Sequence, residues 1–402
     1  MSSSEGGAAT SLDAAHHNAR AIVGTLLEQG PMPRMQIAQL TGISPAAVTR
    51  LTARLITTGL LRELPSVLGP ADAGRPRVPI DLAEDSRLAV GIHIGLLRTE
   101  IGLVGLRSRV LARLVLEHGS TRPEDVAEQA AEGVNALLAE HAGGRQVLGV
   151  GATIGGRVDT ASGVVVEHAS LGWQDVPFAA ILAERLPHRL LFENAVRGLA
   201  MAETRFGAAV GTRSMATLFV GNIVGAALVF DGEVHYGPGS AAGWLTHLPL
   251  HGVRGVPCTC GRRGCAQSVI SDAAVLEMAR ARHTVGAEAR LEDLVRVAHD
   301  GDKDAVQLLR ERSRTVGQVA ALLLDVVNPE VIALSGGPLA TPEYIPTLQR
   351  EMARWSSHGT AAGARLTPST LGEHSLITAS ATVFLHDYFA NPLAFEEGAP
   401  AG

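Results

Sequence analysis

All three cysteines of the 402-residue chain fall within eight positions, at Cys258, Cys260 and Cys265. His247 stands eleven residues before the first of them, and His251 seven. Thiolates and imidazole are the donors tetrahedral Zn²⁺ prefers, and three Cys with one His complete its shell. In Cys-x-Cys-Gly-x-x-Gly-Cys, Gly261 and Gly264 let the backbone turn tightly between donors, where a Cβ would obstruct it. Unliganded core cysteines would be scattered rather than clustered, and a disulfide would leave one thiol over. The spacing predicts a structural metal site closed to water, with either His247 or His251 as fourth ligand.

The length suffices for two or three domains with full-sized cores. Apolar residues make up 46% of the chain, yet no run approaches the roughly 18 residues a transmembrane helix needs. The N-terminus MSSSEGGAATSLDAAHHNAR lacks the basic and apolar regions of a signal peptide, so no membrane partner and a cytoplasmic location are expected. Net charge is −6, but unevenly spread: residues 14–80 carry seven arginines against three acids. A basic head on an acidic body points to an anionic partner for the head.

Residues 1–13 are small and polar and read as a disordered tail. Residues 14–83 read as a winged helix-turn-helix. Ile22, Val23, Leu26 and Leu27 stripe a first helix, and Met35 to Leu40 form a second. After Thr41-Gly42-Ile43, Ser44 is a ready N-cap and Pro45 a natural first residue for a third helix reaching about Thr58. Val48, Leu51 and Leu55 face inward; Ala46, Ala47, Thr49, Arg50 and Arg54 face out. Small residues at such a tip permit close approach to double-stranded DNA, with Ser44 at the groove and Arg50 able to reach a guanine edge or a phosphate. Beyond Leu61 a strand, a Pro/Gly-rich loop and a returning strand make a wing, whose Arg75 and Arg77 suit phosphates or a narrow minor groove.

From Leu88 the pattern becomes α/β. Three strands (Leu88–Ile94, Glu100–Gly105, Val110–Leu116) read as a meander, followed by a helix from Pro123 to His141 and a buried strand ending in Gly155-Gly156. A short strand then leads into a helix capped by Asn194. The motif repeats with a hairpin at Ala216–Val220 and Val224–Phe230, and a last helix covers Leu376–Phe389. Two such halves suit a two-lobed body with its ligand cleft between the lobes. The lobes are placed at about 84–195 with 376–392, and at 196–375, within a body of 84–392 and ahead of a tail at 393–402.

Over residues 14–390 the chain resembles the ROK family (repressors, open reading frames, kinases), specifically its transcriptional repressors. The resemblance implies a two-lobed sugar-kinase fold of the actin-like, ribonuclease-H-like kind, and it assigns the zinc histidine. In the family that His ends a Gly-Glu-x-Gly-His segment, which here is Gly243-Trp244-Leu245-Thr246-His247, so His247 takes the role. The departures bear on function. The kinases' Asp-x-Gly-Gly-Thr phosphate loop is replaced by His93-Ile94-Gly95-Leu96-Leu97. The catalytic Asp of their Asn-Asp pair is Ala195, leaving no carboxylate to take the sugar hydroxyl's proton. Two sugar-contacting glutamates are replaced by Trp244 and Gln267. The resemblance leaves Gly155, Gly156, Asn194, Trp244, His247 and Gln267 to contact an effector. Trp244 either stacks on a sugar face or fills the emptied pocket.

These features together predict a non-enzymatic, zinc-containing DNA-binding repressor. It would act as a homo-oligomer, dimer or tetramer, and control sugar uptake or metabolism genes in response to a sugar or sugar-phosphate effector. A ligand-blind regulator using the body as a scaffold is the alternative, with an active sugar kinase a distant third.

Overall fold

The structure, a computed structural model, describes residues 5–65, 78–84, 86–250 and 256–396. The wing-tip arginines Arg75 and Arg77, and His251, lie outside the described residues.

The head is built from three helices, Glu5–Gln29, Arg34–Thr41 and Pro45–Thr57. The third starts where its sequence directs: the Ser44 hydroxyl oxygen accepts from the Ala47 amide, and Pro45 holds the first helical position. The second ends on Gly42 at φ 70°, a left-handed cap open to glycine without strain. Strand Leu61–Glu63 pairs antiparallel with Pro79–Leu82, which pairs on its other side with Met32–Pro33. The segment expected to form the wing lies between these two strands in sequence, and its residues 66–77 are outside the described residues. Arg34 braces this unit, donating to the Thr52 hydroxyl at 3.0 Å and pairing with Glu63 at 2.8 Å.

The body holds two five-stranded sheets of one topology. In the first, Leu190–Asn194, Gln146–Ile154 and Arg87–Ile94 run parallel, and Arg98–Gly105 and Val110–Glu117 continue antiparallel. In the second, Leu366–Pro368, Val331–Gly336 and Ser214–Val220 run parallel, and Val224–Phe230 and Glu233–His235 continue antiparallel. The helix Ser375–Ala390 lies across the first sheet. It sits so close that a Cβ on Gly151 would fall 1.9 Å from the Ser380 carbonyl oxygen. The helix Ala195–Phe206 packs between this helix and the second sheet.

Two expectations need correction, and two features were not foreseen. The first helix begins at Glu5, where a disordered tail was expected through residue 13; the residues there are small but mostly of types that tolerate a helix. The supposed tail after 392 starts with a helix, Pro392–Glu396, whose Leu393 is fully buried. A three-stranded sheet of Arg157–Asp159, Val164–His168 and Trp173–Val176 was not anticipated, because its strands are too short to show an alternation. Also not foreseen is that head and body share a core. One apolar core contains Ile22, Leu26, Leu55 and Leu60 from the head together with Val104, Phe384, Tyr388 and Leu393 from the body. Arg87, on the first body strand and almost fully buried, donates to the Thr58 carbonyl oxygen at the end of the third head helix and to the Tyr388 hydroxyl.

A shared core makes the head unfold with the first lobe. Phe384→Ala should cost about 3–5 kcal/mol, and urea unfolding followed by probes in the head and in the first lobe should move together. Separate transitions would refute the shared core.

Candidate metal centre, cleft and nucleic-acid interface

The strand Val224–Phe230 and the helix after Cys265 hold the segment between them. Leu250 N donates to Gly264 O, Ala266 N to Leu248 O and Gln267 N to Thr246 O, all within 3.0 Å. A tight turn, Cys258 N to Arg262 O at 2.8 Å, folds the three cysteines together, with Gly261 at φ 82° and Gly264 at φ 72°. His247 and the three thiols converge, their donor atoms all within 4.8 Å of one another. Cys258 Sγ is 3.5 Å from His247 Nδ1, and Cys260 Sγ is 3.7 Å from Cys265 Sγ. Bonds of about 2.3 Å to sulfur and 2.0 Å to nitrogen give tetrahedral edges of about 3.5 Å (S···N) and 3.8 Å (S···S). Both short contacts therefore fit one tetrahedral ion. The cysteines are unequal as thiols: backbone hydrogen bonding at Arg262 lowers Cys260 to about 7, and burial raises Cys265 to about 12. A bound cation would let all three be thiolates at neutral pH.

The metal loop forms one wall of a cavity of about 140 Å³ between the lobes. His247, Thr259, Trp244 and Gln267 face Gly156, Glu167 and His168 across it. A smaller cavity of about 20 Å³ continues past Trp244 to Asn194 and Arg197. The half-buried indole lines both cavities and meets the His247 ring edge-on at 6.4 Å. Trp244 thus stands as a partition, neither core nor open platform.

Two of the residues read as effector contacts are already engaged. Asn194 Oδ1 accepts from the Val196 and Arg197 amides as the helix cap, and its Nδ2 donates to Gly156 O at 2.7 Å. Gln267 Oε1 accepts from Val224 N at 2.9 Å, and its Nε2 donates to Asn222 O at 2.6 Å. Gly155 and Gly156 allow close packing: a Cβ on Gly156 would come within 2.4 Å of Glu167 O. Sequence reasoning missed Glu167 and His168, which sit on the unanticipated strand Val164–His168; the run Val164-Val165-Val166 was the signal.

At the end of the first body strand His93 is buried, its Nδ1 3.1 Å from the Thr153 hydroxyl, which is 2.6 Å from Ser380 Oγ. Ala195, at the first position of the helix capped by Asn194, is buried. The neighbouring carboxylate, Glu193, is taken up by Arg197 Nε at 2.6 Å and the Thr160 hydroxyl at 2.8 Å.

In the head, Ser44, Ala46, Thr49, Arg50 and Arg54 are exposed and Ala47 is half-buried. They share the third helix's outer face with Ala53, which was not singled out. Val48, Leu51 and Leu55 are buried beneath them.

The ROK family profile matches residues 89–385. A transcriptional regulator of Mycobacterium tuberculosis is 31% identical over 378 residues, covering 91% of this chain and 84% of that one. The chain belongs to the ROK family. A solved ROK transcriptional regulator, a homologue of the Escherichia coli Mlc protein, superposes with a TM-score of 0.79 at 22% identity, covering 96% of this chain and 99% of that one. At that identity the likeness speaks for the fold alone. A ROK hexokinase from Thermus thermophilus superposes with a TM-score of 0.61 at 27% identity, over 75% of this chain and 99% of the other. Among the described residues no helix is long and apolar enough to cross a membrane.

Burial holds both His93 and His168 down to about 4, below the ordinary 6.5. Between those values the unfolded chain takes up protons that the folded one does not, so stability falls as pH drops through 6.5 toward 4. At pH 5 the loss is on the order of 2 kcal/mol per histidine. Urea midpoints at pH 7 and pH 5 should show it, and His93→Gln should remove about half of the difference.

Proposed function

We propose that this ROK protein is a DNA-binding transcriptional repressor. Its body would sense a sugar or sugar-derived effector and no longer transfer phosphate. One observation carries the reading: a helix whose exposed face ends in Arg50 and Arg54 is joined through a continuous core to a ROK body, in which the family resemblance puts alanine, Ala195, where the kinases have their catalytic Asp. The relative in M. tuberculosis, described as a transcriptional regulator, supports the same function.

The third helix enters the major groove with Ser44, Ala46, Ala47, Thr49 and Arg50 toward base edges and Arg54 toward the backbone. Arg75 and Arg77 of the wing meet phosphates or the minor groove. Two heads in a homodimer would read a two-part operator. The effector enters beside Trp244. The cavity of about 140 Å³ is well below the roughly 300–1,000 Å³ of small-molecule sites, so binding must part the lobes or swing the indole. Glu167, His168 and Thr259 supply polar contacts in place of the engaged Asn194 and Gln267 amides. The metal is Zn²⁺ in a structural role: it pins the wall formed by His247 and Thr259 to the helix after Cys265. Ala195 and the His93 loop argue against kinase activity.

Arg50→Ala should weaken binding to the DNA upstream of the protein's own gene by about tenfold or more while changing binding to random DNA less. An equal loss on both would make Arg50 a phosphate contact. Metal analysis should find one zinc per chain, lost in Cys258→Ser together with several degrees of melting temperature; full stability without zinc would remove its structural role. Hexoses, amino sugars and their phosphates that raise the melting temperature should also shift the gel-shift midpoint. DNA binding unaffected by any of them would favour the scaffold reading.

A further inference from the structure

The head is attached to the two lobes in different ways. Its tie to the first lobe is the shared core, with Arg87 buried inside it and Arg107 donating to Leu26 O and Leu27 O at 3.0 and 3.1 Å. These contacts make the head and the first lobe one rigid piece. The second lobe reaches the head through charged side chains: Glu233 pairs with Arg20 of the first head helix at 2.5 Å, and the Arg205 guanidinium stands near Arg20 and Glu28 of the same helix. His386, on the helix that covers the first sheet, stands 3.6 Å from the other oxygen of the same carboxylate. One carboxylate from the second lobe is thus clasped by one cation from the head and one imidazole from the first lobe.

Glu233 is held stiffly at its own end. It follows a two-residue Asp231-Gly232 turn with φ 52° and 81°, the geometry that matches the twist of a tight hairpin. The preceding strand, Val224–Phe230, starts at the cleft. Val224 N donates to Gln267 Oε1 at 2.9 Å, Val224 O accepts from the Thr246 hydroxyl at 2.8 Å, and Ala226 N donates to the carbonyl of Gly243, next to Trp244. A Cβ on Gly243 would lie 2.1 Å from Ala226 O, so the Trp244 segment rests directly on this strand. Seven residues of strand span about 23 Å. A single stiff element therefore has the partition residue of the cleft at one end and the head's first helix at the other.

We propose that the hairpin Val224–His235 is the lever between cleft and DNA-binding head, with Glu233 the positioning residue through which the second lobe sets the head's orientation. The proposal rests on the functional reading above. When the lobes part, the head travels with the first lobe and the Arg20–Glu233 pair is pulled open. The pair is half-exposed, with side-chain exposures of 50% and 54%, and exposed pairs contribute little to stability. It can therefore open and close without unfolding anything, as a reversible contact between two rigid bodies must.

The test is a charge swap in the full-length, zinc-loaded protein. Arg20→Glu and Glu233→Arg should each weaken binding to the DNA upstream of the protein's own gene by about fivefold or more with the melting temperature nearly unchanged. The double swap should restore most of the loss. Hydrogen exchange of the DNA-free protein should rise over residues 14–29 in each single variant and return in the double. Loss of affinity in Arg20→Glu that the double swap does not restore would make Arg20 a DNA contact and overturn the lever. Exchange unchanged in both single variants would overturn it as well. The exchange readout needs neither DNA nor effector, so failure of the functional reading and failure of the lever are told apart: a protein that bound no DNA could still show, or fail to show, the rescued exchange.

Discussion

Everything in this molecule depends on where the helix Ser375–Ala390 lies. One side rests on glycine-bearing strands of the first sheet, close enough that Ser380 closes a hydrogen-bonded chain through Thr153 to His93. Other side chains, Phe384, Leu385, Tyr388 and Phe389, complete the core of the DNA-binding head. Removing this helix would expose both the sheet and the head helices. The buried Arg87 sharpens the arrangement: a guanidinium out of water must be satisfied, and its partners, Thr58 O and Tyr388 Oη, come from the head and from this helix. The charge thus fixes one relative placement where apolar packing alone would accept several.

The cleft sits in an architecture shared with ROK kinases, and most of its polar groups are taken up by the protein itself. Two equivalent sheets still meet around the helix capped by Asn194, and the carboxylate beside that cap is still present in Glu193. It is paired with Arg197, which also donates to Ser240 O at 2.7 Å and Val158 O at 3.0 Å and so ties segments of the two lobes together. Side-chain amides are engaged likewise, Asn194 and Gln267 both holding backbone. What remains facing the cavity is a set of imidazoles, a carboxylate and the indole of Trp244 beside the metal loop.

Much of the local structure was legible from the chain. Ser44-Pro45 and Asn194 announced their helices because capping is a contact between near neighbours. The Cys-x-Cys-Gly-x-x-Gly-Cys run announced its turn for the same reason, and the resemblance chose His247, which the structure places against Cys258. Less was legible where strands were short. Arg157–Asp159 and Val164–His168 are too brief for a period of two to show, so Glu167 and His168 went unnoticed although they line the cavity.

The sequence by itself determined the helices of the head and most strands of the two large sheets, the clustered cysteines with two candidate histidines, and the outer face of the third head helix. These are properties of residue type and of spacing over a few positions. Only the tertiary structure decided that the head shares its core with a helix some 330 residues away in sequence. It alone showed that Asn194 and Gln267 have their amides engaged and that Arg20 meets Glu233. Contacts between residues hundreds of positions apart depend on how whole sheets and helices are stacked, and no local period or capping preference encodes that.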